Sequence, residues 1–251
     1  MAHLEVPVFS PASARVALTK AGRLELNRAG SYPKGGLTPE LSDVQSLSAV
    51  SVPLRIMIRP RGPPDEGPDF IYSAAELVEM RRDIQVFKDS EYLRAERGDG
   101  FVFGILRAGD GAGGGLLVDA GRNSELVRLA SPFTCVFHRA FDEVLGSGGS
   151  SVGEALRSVK ACGFDGVLTS GGPGSAVDNI DVLCRVIHAA AAEGVEVIVG
   201  GGVRSSNAQL LDDRLPRPGG SRLWSHSSCL TKQSVDCVDV DELKSLGNIL
   251  P

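Results

Sequence analysis

Residues 164–202 read FDGVLTSGGPGSAVDNIDVLCRVIHAAAAEGVEVIVGGG. The run Gly166–Ser170 is short and mostly apolar and Glu196–Val199 is rich in β-branched residues, so both predict buried strands. Between them, Ala176–Glu193 is long enough for a helix, and glycines follow both strands. The stretch therefore predicts a strand, a helix and a second strand joined by tight, glycine-rich turns.

The same alternation extends along most of the chain. Strands are predicted at Leu4–Phe9, Arg23–Asn27, Leu54–Arg59, Phe101–Leu106, Phe133–Arg139, Gly166–Ser170, Glu196–Val199 and Arg222–His226. Helices are predicted at Pro11–Lys20, Pro39–Ala49, Ala74–Lys88, Ser124–Ala130, Gly153–Ala161, Ala176–Glu193, Asn207–Leu215 and Val240–Leu246. This rhythm in 251 residues predicts one (β/α)8, or TIM, barrel domain over residues 1–251, with residues 229–251 as a C-terminal extension or final helix. An open doubly wound sheet has the same local pattern and is the alternative.

Composition excludes several classes of protein. Hydrophobic residues make up 42% of the chain and charged residues 23%, which is enough to bury a core. The formal net charge of −5 argues against a nucleic-acid-binding protein, because such proteins present a basic face. No apolar run approaches the roughly 18 residues of a membrane span, and the N-terminal region lacks the apolar core of a secretory signal. The five cysteines form no C-x-x-C pair, which indicates a reducing, cytosolic or nuclear compartment.

Two stretches depart from the strand-helix rhythm. The segment Arg107–Gly115 reads RAGDGAGGG and predicts a surface loop. Its pattern Gly109-x-Gly111-x-x-Gly114 matches a dinucleotide-binding string, but no helix is predicted to begin at its end, so we discount it as a nucleotide site. The charged segment Lys88–Gly98 either extends a helix or forms an irregular insertion.

Polar residues collect where the predicted strands end, which is where TIM barrels carry their chemistry. The candidate site residues are Glu5, Glu25, Arg59, Arg61, His138 and Asp142. Strand periodicity allows Glu5, Glu25, Arg59 and His138 to point into the barrel, where carboxylates, a guanidinium and an imidazole would shift one another's pKa and perform acid–base work. Arg59 and Arg61 lie two residues apart and are predicted to clamp an anion. The alternative is a set of internal ion pairs that caps the core.

The glycine run Gly200, Gly201 and Gly202 follows the seventh predicted strand. Loops after the seventh and eighth strands of many barrels bind phosphate through backbone N–H groups and a helix N-terminus, so this run is a candidate anion site. The alternative is that the glycines only permit a tight turn.

Soft metal ligands occur together at one place. His226, Cys229 and Cys237 are the local cluster that could serve a metal such as Cu(I), which favours thiolate ligands. Their spacing matches no zinc pattern, so they are a weak metal candidate.

Several strand-end strings together resemble the CutC family of copper homeostasis proteins. They are GGLTP at 35–39, MIRPRG at 57–62, DFIYS at 69–73, DGFVFG at 99–104, FHRAFD at 137–142, LTSGG at 168–172 and GGGV at 200–203. The strings occur in the family's order across roughly residues 4–228. The resemblance implies a TIM barrel, a cytosolic or nuclear location, frequent homo-oligomerisation and a role in copper handling. Copper as a cofactor is therefore implied by this resemblance and by nothing else in the sequence.

The chain departs from the family at an important place. Members with a proposed Cu(I) site carry cysteine two residues after the glutamate of the first strand and again after that of the second. Pro7 and Asn27 occupy those positions here, and neither supplies a thiolate.

Three functions stay open on this evidence. The chain is a copper homeostasis protein that uses another site, or an enzyme that acts on a small anionic metabolite, or a scaffold with a vestigial barrel mouth. In the enzyme, His138 would be the acid or base and Arg59 and Arg61 would hold the substrate.

Overall fold

A closed barrel of eight parallel strands forms the centre of the protein. The computed structural model describes residues 4–110, 114–232, 234 and 237–250. Its strands are β1 (Leu4–Val8), β2 (Arg23–Leu26), β3 (Leu54–Met57), β4 (Gly100–Phe103), β5 (Leu106–Ala108), β6 (Leu116–Val118), β7 (Thr134–Phe137), β8 (Gly166–Thr169), β9 (Glu196–Val199) and β10 (Leu223–His226). The barrel order is β1-β10-β9-β8-β7-β4-β3-β2, and every pairing within it is parallel. The closed ring confirms the predicted TIM barrel and rules out the open sheet.

Helices pack around the barrel and connect its strands. They are α1 (Pro11–Ala17), α2 (Leu41–Ser46), α3 (Ala74–Asp89), α4 (Ala120–Ala130), α5 (Ala140–Gly146), α6 (Val152–Ala161), α7 (Ile180–Glu193), α8 (Ser205–Arg214) and α9 (Val240–Ile249). Capping residues at the N-termini of two helices are present as the sequence indicates. Ser73 and Glu76 form a capping box on α3, and the Ser10 side chain at the start of α1 accepts from the backbone N–H of Ser13. None of the helices in the described part of the chain is long and apolar enough to cross a membrane.

Two local features differ from the sequence expectation. The short helix α5 follows β7 where no helix was predicted, because seven residues give too little periodicity to detect. The predicted loop Arg107–Gly115 contains one strand of an antiparallel ribbon, in which β5 pairs with β6 and the Gly109 N–H donates to the Gly115 carbonyl at 2.8 Å. Residues 111–113 of that loop, and with them Gly111 of the discounted string, lie outside the described residues.

The barrel interior is apolar in only one layer. The strands alternate, so side chains such as those of Leu4, Val6 and Val8 pack outward against the helices. A small separate cluster fills the inside of the barrel and consists of Met57, Val102, Val136, Leu168 and Ile198, with Trp224 against it. Most of the other inward positions of β1, β2 and β3 carry polar or charged groups, and these are buried. This polar interior is what positions the candidate site.

Candidate functional site

Three ionisable side chains meet inside the barrel on three neighbouring strands. Glu5 on β1 and His226 on β10 are register partners, and Glu25 lies on β2, the strand on the other side of β1. One ligand atom from each of Glu5, Glu25 and His226 lies within 4.8 Å of the others. The Nδ1 atom of His226 is 2.8 Å from Oε1 of Glu5. We call these three residues the carboxylate–histidine group.

Arg23 forms a buried ion pair with Glu5 of this group. It begins β2, and its Nε donates to Oε2 of Glu5 at 2.5 Å while its Nη1 donates to Glu196 at 2.8 Å. The Arg23 guanidinium also lies 4.1 Å from the centre of the Trp224 ring. Burial alone would raise the pKa of Glu5, but Arg23 and His226 outweigh burial and lower that pKa to about 2. Glu5 is therefore an ionised, fully engaged carboxylate rather than a proton donor.

Glu25 and His226 hold their protons more tightly than isolated side chains do. Burial raises the pKa of Glu25, whose Oε1 accepts one hydrogen bond from Asn27 at 3.0 Å. Within the described residues, Oε2 of Glu25 and Oδ1 of Asn27 are buried without a hydrogen-bond partner. Burial alone would lower the pKa of His226, but the carboxylates of Glu25 and Glu5 outweigh it, so the pKa is raised. The pair is suited to exchanging a proton with a bound molecule.

A pocket of about 180 Å³ opens above this group at the C-terminal mouth of the barrel. Its lining residues are Pro7, Phe9, Glu25, Asn27, Tyr32, Gly35, Arg139, Gly201, Gly202, Arg204, His226 and Ser228. We call it the mouth pocket. Arg204 donates to the hydroxyl oxygens of Ser227 and Ser228, each at 3.3 Å, and no ion pair joins it to a carboxylate among the residues that the structure describes. The mouth pocket therefore brings together the Arg204 guanidinium and Glu25, a carboxyl whose pKa is raised by burial.

The opposite side of the mouth is closed by the loop between β3 and α3. Arg59 donates to Asp69 at 2.7 Å and to the carbonyl oxygens of Lys34 and Gly36 at 2.5 and 3.1 Å. The Phe70 ring lies between two predicted site residues, 4.9 Å from the Arg59 guanidinium and 4.6 Å from the His138 ring. The backbone of Phe70 has a positive φ of 63°.

His138 is sealed from the mouth pocket by that ring. Its Nδ1 accepts from the backbone N–H of Ala140 at 3.3 Å, and its Nε2 is buried without a partner among the described residues. Burial, followed by the charge of Arg59, lowers the pKa of His138 to about 3. The four side chains predicted to converge thus form two groups, one with Glu5 and Glu25 and one with Arg59 and His138.

Two other predicted site residues brace loops and do not line the mouth pocket. Arg61 is engaged by Glu76 at 2.6 Å, by Asp69 at 3.4 Å and by the Ile71 carbonyl at 2.8 Å, so it organises the loop before α3. Asp142 lies on α5 and not at the end of β7. Its carboxylate accepts hydrogen bonds from Arg139, Thr169, Ser170 and Gly172 and holds the turn after β8.

The glycine run after β9 shapes the wall of the mouth pocket. Gly201 and Gly202 have φ values of 88° and 83°, and a Cβ at Gly201 would lie 2.6 Å from that of Ser170. This left-handed turn requires glycine. The N-terminus of α8 already has an anionic partner, because Glu242 accepts from the Ser205 backbone N–H at 2.8 Å. The predicted binding of an external anion by the glycine run itself stays a prediction.

The thiols do not join His226. Cys229 is buried with its Sγ 3.6 Å from the Ser227 carbonyl oxygen, and burial raises the pKa of its thiol to about 11. Cys237 is half-buried. The carboxylate–histidine group is the set of three potential ligands found among the described residues, and neither sulfur belongs to it.

Sequence reasoning passed over three arginines that define the site. Arg23 begins a predicted strand, Arg139 stands beside His138 in the string FHRAFD, and Arg204 follows the string GGGV. Arg139 and Arg204 thus lie in or next to strings that the sequence already marks as candidate loops. The signal for Arg23 was its two-residue spacing from Glu25, which places both side chains on one strand face.

The family model and the curated relatives agree on one family. The model of the CutC family matches residues 2–216. A CutC family protein of Sinorhizobium medicae is 34% identical over 241 residues, covering 96% of this chain and 86% of that protein. The copper homeostasis protein cutC homolog of Mus musculus is 35% identical over 190 residues, and the match spans 75% of this chain and 61% of that protein. The crystal structure of a CutC protein from Streptococcus agalactiae has a TM-score of 0.71 at 23% identity and covers 91% of this chain and 99% of that chain, which shows the shared fold.

Proposed function

Because this chain belongs to the CutC family, we propose that it serves in copper homeostasis, the role that its mouse and human relatives carry in their names. The structural observation behind the proposal is the carboxylate–histidine group, which brings three potential metal ligands within 4.8 Å of one another. Copper would be the protein's cargo and not a resident cofactor. The ion would bind at this group, because Pro7 and Asn27 supply no thiolate for a Cu(I) site.

The donor set determines which copper ion the group suits. Imidazole and carboxylate ligands suit Cu(II), whereas Cu(I) favours thiolate and thioether ligands. The unpartnered Oε2 of Glu25 and Oδ1 of Asn27 provide oxygen donors that the fold leaves unused. The ion pair between Arg23 and Glu5 opposes a cation, so we expect modest affinity for Cu(II) and weak affinity for Cu(I).

A second candidate function is favoured by the cation in the mouth pocket. Arg204 and Arg139 both line that pocket, and Arg204 pairs with hydroxyl groups instead of carboxylates. A guanidinium of this kind binds carboxylate and phosphate groups. In this candidate the protein is an enzyme that acts on a small anionic metabolite. Glu25 would exchange a proton with the substrate, and His226 would orient the substrate and supply positive charge at the site.

One pair of substitutions separates the two candidates. Glu25→Gln removes a copper ligand but keeps a neutral hydrogen-bonding group, so it should abolish Cu(II) binding in calorimetric titration and leave the binding of inorganic phosphate in place. Arg204→Gln should abolish the binding of inorganic phosphate and leave Cu(II) binding in place. Glu66→Gln and Arg82→Gln change exposed residues of the same types and should alter neither titration.

A further pair of results would contradict the copper proposal. If neither Cu(II) nor Cu(I) binds to the wild-type protein, copper handling at this site fails. If Cu(I) binds tightly and stoichiometrically under reducing conditions, and Cys229→Ser or Cys237→Ser abolishes that binding, the thiols are the site and the carboxylate–histidine group is not.

A further inference from the structure

A second, larger cavity lies beside the mouth pocket. It has a volume of about 1130 Å³ and is lined by Phe9, Ser10, Ala29, Gly30, Tyr32, Pro33, Arg204, Ser205, Ser206, Leu230, Thr231, Lys232 and Glu242. We call it the rim groove. It runs between the loop after β2 and the segment after β10, and its size reaches that of small-molecule sites, which are about 300–1,000 Å³.

The two cavities share part of their walls. Phe9, Tyr32 and Arg204 line both the mouth pocket and the rim groove. The rings of Phe9 and Tyr32 pack edge to face with centroids 5.4 Å apart, and Tyr32 is 43% exposed. Phe9 is half-buried, so the exposed apolar surface at the junction of the two cavities belongs mainly to the Tyr32 ring.

The chemistry changes across this junction. The mouth pocket presents guanidinium, carboxyl, amide and imidazole groups. The rim groove is lined by the Phe9 and Tyr32 rings and by Ala29, Pro33 and Leu230, together with polar residues that include Lys232 and Glu242. Arg204 lines both cavities and donates to the Val203 carbonyl at 2.7 Å and to the hydroxyls of Ser227 and Ser228, with no acidic side chain paired to it among the described residues. One molecule that spans both cavities would therefore need an anionic head and an apolar arm.

We propose that the mouth pocket and rim groove together bind a small organic acid, with its carboxylate or phosphate at Arg204 and a ring-sized apolar arm against Phe9 and Tyr32. This inference rests on the second candidate function and specifies the class of its ligand. Tyr32 is a specificity residue for the arm, and Arg204 binds the head. A bare inorganic anion fills only the polar part of the site.

Matched probes test the proposal by calorimetric titration at constant ionic strength. The pairs are inorganic phosphate with phenyl phosphate, and acetate with phenylacetate. We expect the member with a ring to bind at least tenfold more tightly in one pair or both, and the pair with the larger ratio identifies the head group. Tyr32→Ala should remove most of that advantage, whereas Tyr32→Phe, which keeps the ring, should retain it. Arg204→Gln should weaken both members of the pair.

The outcomes also separate this inference from the function on which it rests. If inorganic phosphate or acetate binds but the ring gives no advantage, the two-part ligand is wrong and the anion site stands. The same follows if the advantage persists in Tyr32→Ala, whose exposed position makes misfolding a minor concern. If no probe of either kind binds to the wild-type protein, the anionic-metabolite function itself is overturned.

Discussion

The two histidines at the barrel mouth, buried His138 and half-buried His226, have opposite surroundings. His226 sits beside two carboxylates at the floor of the mouth pocket, and its pKa is raised. His138 lies beneath the Phe70 ring beside Arg59, and its pKa is lowered to about 3. The surroundings of His226 thus favour the protonated imidazole at the wall of the mouth pocket, whereas those of His138 favour the neutral form away from that pocket. The side of the mouth formed by β1, β2 and β10 borders the mouth pocket, and on the other side the loop between β3 and α3 covers His138.

This difference shows that residue type and strand position do not by themselves determine whether a side chain reaches the mouth pocket. His138 has the place on its strand that a barrel acid or base would have, but the loop before α3 covers it. The pKa of His226 is raised by Glu5 and Glu25, which are far from it in sequence and adjacent to it in the barrel. If the two sides of the mouth are independent, a substitution on one side should leave the histidine of the other side unchanged.

The largest expected effect comes from Arg23→Met. Removing one member of a buried ion pair leaves an uncompensated charge, here that of Glu5, so we expect the free energy of unfolding to fall by about 3–5 kcal/mol. Denaturant unfolding measures this. Adding Glu5→Gln to Arg23→Met should recover part of the loss, because the uncompensated charge is then gone.

The matched control is Arg82→Met, which breaks an exposed pair with Asp83 and should cost less than about 0.5 kcal/mol. If Arg23→Met costs no more than this control, the buried network does not stabilise the barrel. The signals of His138 in NMR spectra of the stable variants should be unchanged, because that residue lies on the other side of the mouth.

Phe70→Ala should expose His138. Losing most of a buried ring typically costs about 3 kcal/mol in unfolding free energy, and water gains access to the imidazole. We therefore expect the pKa of His138 to rise from about 3 toward its ordinary value, as measured by NMR titration. Phe9→Ala removes the same side chain from the open side and should leave the pKa of His138 where it is. An unchanged pKa in Phe70→Ala would show that the ring is not what seals His138.

The barrel was predictable because the rhythm of strands and helices repeats along the chain. Each of the eight barrel strands coincides with a predicted one, and the final helix appears as α9. Helix α5 and the ribbon of β5 and β6 were missed, since elements of seven and three residues depend on their neighbours more than on local pattern. Homo-oligomerisation and a cytosolic or nuclear location stay predictions.

The candidate site was predictable only in part, for a related reason. Strand periodicity placed Glu5 and Glu25 inside the barrel, and both are buried there. Periodicity could not show that Arg59 would form an ion pair with Asp69 and Arg61 with Glu76, because those pairs form within a loop of irregular shape. Nor could it bring together residues as distant as Glu5 and His226, since that contact exists only once the barrel has closed.

The smallest effect, the pH dependence of stability, distinguishes the two histidines by sign. The pKa of His138 is about 3 in the folded protein and about 6.5 in an unfolded chain. As pH falls below 6.5, the unfolded chain takes up this proton first, so the stability that His138 contributes above about pH 6.5 is lost toward pH 3. His226 and Glu25 have raised pKa values and act in the opposite direction, since the stability they contribute is lost as pH rises.

His138→Asn isolates the contribution of His138, because Glu25 and His226 titrate alike in both proteins and cancel in the difference. The variant keeps an acceptor near the Ala140 backbone N–H. Between pH 6.5 and 5, the unfolding free energy of the wild-type protein should fall more steeply than that of the variant, by up to about 1.4 kcal/mol per pH unit. Denaturant unfolding across this range gives both slopes. Equal slopes would mean that His138 titrates in the folded protein as it does in the unfolded chain, and the closed side of the mouth would then be open to water.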